Sequence, residues 1–159
     1  MNCAKMFYMK IRKMIASDQE KCLKIANGLK EWFSRETLEE MQEKLGEYDT
    51  FIYEDKGSIK GFLALQEEFQ GVLEVVWIAV KKNCHNKGIG TALLEYIVKN
   101  TDGGKVLKVK TLDNTEVYKP YEATRAFYEK NGFLKIAVID PYPGWEEGNP
   151  CAIYVKPIR

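Results

Sequence analysis

Histidine is almost missing from this chain: among 159 residues there is one, His85. Cysteine is sparse too. The four sit at positions 3, 22, 84 and 151, and no two stand at CxxC spacing. That spacing argues against a zinc motif, and no metal is expected. A chain of this size buries enough apolar surface to fold without disulfides, so the cysteines read as reduced thiols of a cytoplasmic protein. An excess of one charge is missing as well: 24 Lys plus Arg against 23 Asp plus Glu leave +1. This balance makes no electrostatic case for nucleic acid as a partner. No apolar run approaches the ~18 residues of a membrane span, so no membrane partner is expected. The opening stretch MNCAKMFYMKIRKM is charged throughout and lacks an apolar h-region, which argues against a signal peptide. Repeats, low-complexity tracts and Pro/Ser linkers are also lacking. The simplest organisation is one domain over residues 1–159.

What is there reads as a mixed α/β chain. Tyr8–Met14 alternates apolar and polar residues, as a first strand does. Ser17 offers a helix N-cap with Glu20 at N3, and Cys22, Leu23, Ile25, Ala26 and Leu29 follow at helical spacing. Arg35–Leu45 predicts a second helix, stopped by Gly46. Thr50–Glu54 and Ile59–Gln66 flank the polar turn Asp55-Lys56-Gly57-Ser58, a hairpin signal. Leu73–Val80, LEVVWIAV, is almost wholly apolar and predicts a central strand buried on both faces. A helix after Gly90, a strand Lys105–Leu112, a helix Tyr121–Asn131 and strands Phe133–Ile139 and Cys151–Lys156 complete the order β-α-α-β-β-β-α-β-α-β-β. Pro141–Pro150, with three prolines and two glycines, is a loop.

Between the central strand and its helix stands His85-Asn86-Lys87-Gly88-Ile89-Gly90-Thr91. A strand, a glycine loop and a helix form a phosphate-binding arrangement. The first helical turn has unpaired N–H groups, and its dipole favours an anion. Gly88 and Gly90 leave the backbone open, Lys87 adds positive charge and Thr91 a hydroxyl. The Walker pattern GxxxxGK(S/T) is absent, and the dinucleotide pattern GxGxxG fails at Leu93. A nucleotide-binding regulatory domain is therefore disfavoured.

Here the chain resembles the GNAT superfamily of acyl-CoA-dependent N-acetyltransferases, whose signature Q/R-x-x-G-x-G/A lies between such a strand and helix. His85 stands where that family carries Arg or Gln. A second motif, Ala126-Phe127-Tyr128-Glu129-Lys130-Asn131-Gly132-Phe133, is similar to the family's FYxxxGF. The resemblance spans most of the chain. It implies a GNAT-like α/β (mixed α+β) fold: a central, mostly antiparallel twisted sheet of about six or seven strands with about four flanking helices. It also implies acetyl-CoA as co-substrate, an amine acceptor and no metal. Asn86, Lys87, Gly88, Ile89, Gly90 and Thr91 would hold the pyrophosphate. The backbone of Ile78, Ala79 and Val80 would meet the pantetheine arm and polarise the thioester carbonyl. Phe127 and Thr124 lie on the coenzyme-facing helix. The family often places Asn and Ala where this chain has Tyr121 and Thr124, so Tyr121, Thr124 or Asn114 would replace the pantetheine contact. The loop Asp113–Pro120 is longer than usual and would border the active site.

Acyl transfer from a thioester to an amine needs a base for the amine, donors for the oxyanion and a proton for the leaving thiolate. The resemblance gives the last task to Tyr128. A phenol, with an ordinary pKa of ~10, stays protonated at neutral pH. Glu74 is the candidate base. A carboxylate inside an apolar strand is costly unless it reaches water or a partner, and it lies thirteen residues before Lys87, the offset of the base in histone-acetylating members of the family. The other reading is a surface acid near the strand start, three residues after Gly71. His85 lies on the phosphate side and Cys84 beside it, neither placed for catalysis. Trp32-Phe33 and Trp145-Glu146-Glu147 would suit a cationic acceptor, unless they serve packing and solvation. Trp77 reads as core. The expected activity is N-acetyl transfer by direct attack in a ternary complex. The rival is a non-catalytic acyl-CoA sensor on the same fold. Either a monomer or a homodimer fits the apolar last strand.

Overall fold

The structure, a computed structural model, describes residues 9–115 and 118–158. Tyr8, Cys3 and positions 116 and 117 of the 113–120 loop lie outside the described residues. Seven strands form one sheet: β1 (Met9–Lys13), β2 (Asp49–Asp55), β3 (Ser58–Phe69), β4 (Val72–Val80), β5 (Val106–Leu112), β6 (Leu134–Ile139) and β7 (Cys151–Pro157). Their order across it is β1-β2-β3-β4-β5-β7-β6. The described α-helices are α1 (Gln19–Asn27), α2 (Arg35–Lys44), α3 (Ile89–Asn100) and α4 (Pro120–Lys130). No helix among the described residues is long and apolar enough to cross a membrane.

Two compact units are distinguished: residues up to Gln66 together with Val75–Asp102, and Glu67–Glu74 together with the chain from Gly103 on. In the first unit β1 pairs antiparallel with β2, from Met9↔Asp55 to Lys13↔Phe51. The β2–β3 hairpin closes through Lys56 and Gly57, both left-handed (φ 51° and 75°), the backbone that a tight two-residue turn demands. Its core packs Cys22, Ile25 and Ala26 of α1 and Met41 of α2 on Ile52, Phe62 and Trp77. Burying the larger of these, Ile25, Met41, Ile52 and Phe62, contributes about 1.5–3 kcal/mol each. Tyr48 meets Trp77 edge to face at 5.3 Å, so Trp77 is a core residue.

The start of α1 differs from the Ser17 cap expected. Residues Ala16–Asp18 form a 3-10 turn before the helix. Asp18, 4% exposed, accepts from the Ile15 N–H at 2.9 Å and from both Arg12 Nη atoms at 2.7 and 3.1 Å. The β1 guanidinium outcompetes a local cap and holds the Asp18 carboxyl below the usual carboxylate range. At α2 the Ser34 hydroxyl caps the Thr37 N–H at 3.1 Å. Gly46 sits inside a 3-10 turn, Leu45–Glu47, rather than ending the helix directly.

β4 also departs from expectation. Leu73, Val75, Trp77 and Ala79 are buried, but Val76, Ile78 and Val80 are only half-buried. From Val75 on the strand keeps period two, with one well-covered face, while at its start Leu73, Glu74 and Val75 are all buried.

In the second unit β5 alternates buried Leu107, Val109 and Thr111 with half-buried neighbours. It pairs parallel with the start of β4, Val72↔Val106 to Glu74↔Lys108, and antiparallel with β7 along its whole length. α4 starts on Pro120, and its end is followed by Gly132 at φ 86°. β6, at the sheet edge, exposes Leu134 (67%) and Ile136 (62%). Cys22, Cys84 and Cys151 are buried free thiols. Burial pushes the Cys22 thiol up to about 12 and raises that of Cys151.

Candidate active site

In the first unit β4 leaves Val80 through a 3-10 turn, Lys82–Cys84, where the Cys84 N–H donates to the Lys81 carbonyl at 2.7 Å. His85 then turns back. Its Nε2–H donates to the Val80 carbonyl at 2.7 Å, and its ring meets Trp32 edge-on at 5.5 Å. The side chain replacing the family's Arg or Gln thus braces the loop, and Trp32 is its packing partner.

Asn86 (φ 60°) and Gly88 (φ 81°) are left-handed, and α3 begins at Ile89. Nothing lies within 4 Å of a Cβ placed on Gly88, so the backbone angle and not space requires glycine there. The first helical bond, Ala92 N–H to the Gly88 carbonyl, is 2.9 Å. The amides of Ile89, Gly90 and Thr91 precede it and have no acceptor within the helix. Asn86 and Lys87 are exposed beside them. An anion is the natural occupant of such a turn.

Ile89 is buried and pins the loop to the body of the unit. Its seat depends on Gly61 of β3, a residue that the sequence reading did not single out. A Cβ on Gly61 would lie 2.9 Å from the Ala79 carbonyl oxygen and 3.2 Å from Ile89 Cγ2. A glycine inside an otherwise apolar strand was the available signal. Ile78, Ala79 and Val80 are the last three residues of β4, past Glu74, where the pairing with β5 ends.

In the second unit Thr124, Phe127 and Tyr128 lie on α4. Tyr128 is 5% exposed, with Phe127 and Phe133 each at 5.4 Å and Tyr154 at 6.3 Å between ring centroids. Burial, reinforced by Tyr121, pushes its phenol well above the usual tyrosine range. It is a protonated donor at any physiological pH. Tyr121, one further turn-pair back on the helix, is pushed up to about 12 by burial, with Tyr118 beside it at 5.7 Å. Arg125, also unanticipated, donates to the Leu112 carbonyl at 2.9 Å and ties α4 to the end of β5.

Glu74 is 4% exposed, buried rather than at the surface. Lys110 Nζ stands 3.0 Å from its Oε1. Burial alone would lower the Lys110 pKa, but the hydrogen bond and charge of Glu74 outweigh it and raise it. Lys110 also reaches the Tyr142 hydroxyl at 3.4 Å, and Tyr142 packs on Trp145 at 5.3 Å. Glu68 pairs with Lys108 in the same unit. The alternate lysines of KVLKVKTL were the sequence signal for these partners, readable only once the parallel register sets Glu74 opposite Lys108. Glu146 and Glu147 are exposed. Among the described residues no group of His, Cys, Asp and Glu is arranged to hold a metal.

Residues 46–135 match the family model described as an acetyltransferase (GNAT) domain. Among solved structures, the chain is similar to a protein from Desulfovibrio desulfuricans assigned to the same family (TM-score 0.83, 22% identity, covering 95% of this chain and 99% of that one). The ribosomal-protein-S18-alanine N-acetyltransferase of Escherichia coli is also similar (TM-score 0.72, 21% identity, 94% of each chain). So is an aminoglycoside 6'-N-acetyltransferase complexed with coenzyme A (TM-score 0.69, 20% identity, 94% and 97%). A comparison with curated proteins gave no match. The match to the domain spans more than half of the sequence and both motifs, and the chain belongs to the GNAT family of acetyltransferases.

Proposed function

We propose that residues 1–159 act as one cytoplasmic catalytic domain, which transfers the acetyl group of acetyl-CoA to a primary amine by direct attack in a ternary complex. The amine nitrogen bonds to the thioester carbonyl carbon and loses a proton. The C–S bond breaks, and the coenzyme leaves as a thiol once protonated. The observation that carries this reading is the left-handed turn at Asn86 and Gly88 that opens α3 and leaves its first amides to an anion. Asn86, Lys87, Gly88, Ile89, Gly90 and Thr91 would hold the coenzyme pyrophosphate, and the β4 backbone at Ile78–Val80 the thioester. Thr124 and Phe127 would complete the coenzyme contacts on α4. Tyr128, kept protonated by burial, would supply the thiol proton. Glu74 would take the amine proton while Lys110 holds its carboxylate in place.

The test is acetyl-CoA binding by calorimetry, followed by thiol release against an amine panel. The similar acetyltransferases act on a ribosomal protein and on an aminoglycoside, so the panel holds peptide N-termini and polyamine-like antibiotics. Binding with amine-dependent release supports the enzyme. Binding without release against the whole panel favours the sensor, and no binding overturns the coenzyme assignment.

A further inference from the structure

In the second unit the candidate base already holds a primary ammonium. Glu74 Oε1 lies 3.0 Å from Lys110 Nζ, and the Lys110 side chain is 25% exposed against 5% for Glu74. Lys110 Nζ also donates to the Tyr142 hydroxyl at 3.4 Å and stands 5.4 Å from the centre of the Tyr142 ring. Trp145 packs on that ring at 5.3 Å. A carboxylate oxygen, a hydroxyl and an aromatic face are the contacts that a bound primary amine would take, and here the chain's own lysine fills them. An acceptor amine that is to give its proton to Glu74 must enter that place and displace Lys110. The charges set the terms of the exchange. Glu68, paired with Lys108, lies against Glu74, so two carboxylates face two ammonium groups and the cluster is balanced. The Cys151 thiol, within reach of these charges, is kept neutral by burial. A simple amine would add one positive charge in a poorly hydrated place and leave Lys110 without an anion. An acceptor with a carboxylate beside its amine adds no net charge. Its ammonium goes to Glu74, and its carboxylate receives Lys110 and the Tyr142 hydroxyl. Glu146 and Glu147, next to Trp145 in sequence, would favour a cation, but they are exposed and screened by solvent and salt.

We propose that the acceptor is a free α-amino acid, bound by exchange of partners across the Glu74–Lys110 pair. The inference rests on the reading of Glu74 as the base, and it narrows the acceptor from primary amines to zwitterions. Lys110 is then the specificity-determining residue, assisted by Tyr142. The experiment measures thiol release from acetyl-CoA with each common amino acid, with the matching amino acid amides, and with the peptides and aminoglycosides of the panel. Loss of the carboxylate makes an amine easier to deprotonate, so a preference for the acid runs against intrinsic reactivity. The wild type should use its best amino acid with a kcat/KM at least about tenfold above that of the amide. Lys110→Gln should lose this preference, and Lys110→Arg, which keeps the cation, should retain it. Circular dichroism checks the fold of both variants. Should Lys110→Gln not fold, Tyr142→Phe, which removes one donor to the carboxylate, should lower the ratio in its place. Amides, peptides or aminoglycosides used as well as the amino acids overturn the proposal and leave the acetyltransferase reading standing. A preference that survives in Lys110→Gln overturns it too. If no amine at all releases thiol, the acetyltransferase reading is what fails, and calorimetry of the amino acids against their amides decides the zwitterion site. Binding of an acid about tenfold tighter than its amide then supports the proposal, and equal or no binding overturns it.

Discussion

The glycine loop and the Tyr128 helix are built in opposite ways. The loop presents backbone: the first amides of α3 have no acceptor within the helix, its special angles belong to Asn86 and Gly88, and Ile89 is its buried anchor. The helix presents a side chain: the Tyr128 phenol is fixed by Phe127, Phe133 and Tyr154, and Glu74 in the same unit by Lys110. A backbone site needs little more than permissive residues in local order. A side-chain site needs packing, so its character is set by residues far away in sequence. Substitutions should therefore separate binding from chemistry and from stability.

The largest expected effect is on chemistry. Tyr128→Phe keeps the ring and its packing and removes only the acidic proton. Turnover should fall by about 10²–10⁴-fold, while calorimetric affinity for the coenzyme and the melting temperature stay as in the wild type. An unchanged kcat would remove the proton donor from the second unit and with it half of the contrast.

Glu74→Ala leaves the Lys110 charge without its partner in a poorly hydrated place. Urea unfolding should show a loss of about 3 kcal/mol, partly recovered in Glu74→Leu/Lys110→Met. If stability does not move, the pair is worth no more than a surface pair, and Glu74 gives up its proton acceptance without structural cost. Activity of Glu74→Gln then decides its role as base.

Gly88→Ala and Gly57→Ala impose the same left-handed strain, at φ 81° and 75°. Each should cost about 1–2 kcal/mol. Only the first should weaken coenzyme binding. Equal affinities in the two variants would show that the α3 turn is no different from a hairpin turn.

The smallest effect belongs to pH. Arg12 depresses the Asp18 carboxyl, so the stability from this pair is whole above the unfolded carboxyl value of ~3.9 and is lost as pH falls below it toward the folded value. Acid titration of the melting temperature should fall less steeply in Asp18→Asn, with coenzyme affinity at neutral pH untouched. An identical acid limb in the variant would move the anchor of α1 elsewhere.

Much of this was legible in the residues. The element order, the hairpin at Lys56-Gly57 and the turn into α3 follow from local pattern and turn chemistry. Ser17 misled because Arg12, on another element, captures Asp18. LEVVWIAV looked buried on both sides because composition does not say that Val76, Ile78 and Val80 are only partly covered. Gly61, Arg125 and the Lys110 partner of Glu74 depend on strand register and on helix docking, which no short window of sequence contains.

The buried thiols have a practical consequence for the first assay. Thiolates, not thiols, react with colour-forming disulfides. Cys22, Cys84 and Cys151 are shielded, and two of them are also held protonated by burial. Coenzyme released by turnover can thus be followed continuously in the native protein against a low background from these three positions. A rising background would report unfolding in the same trace that reports catalysis.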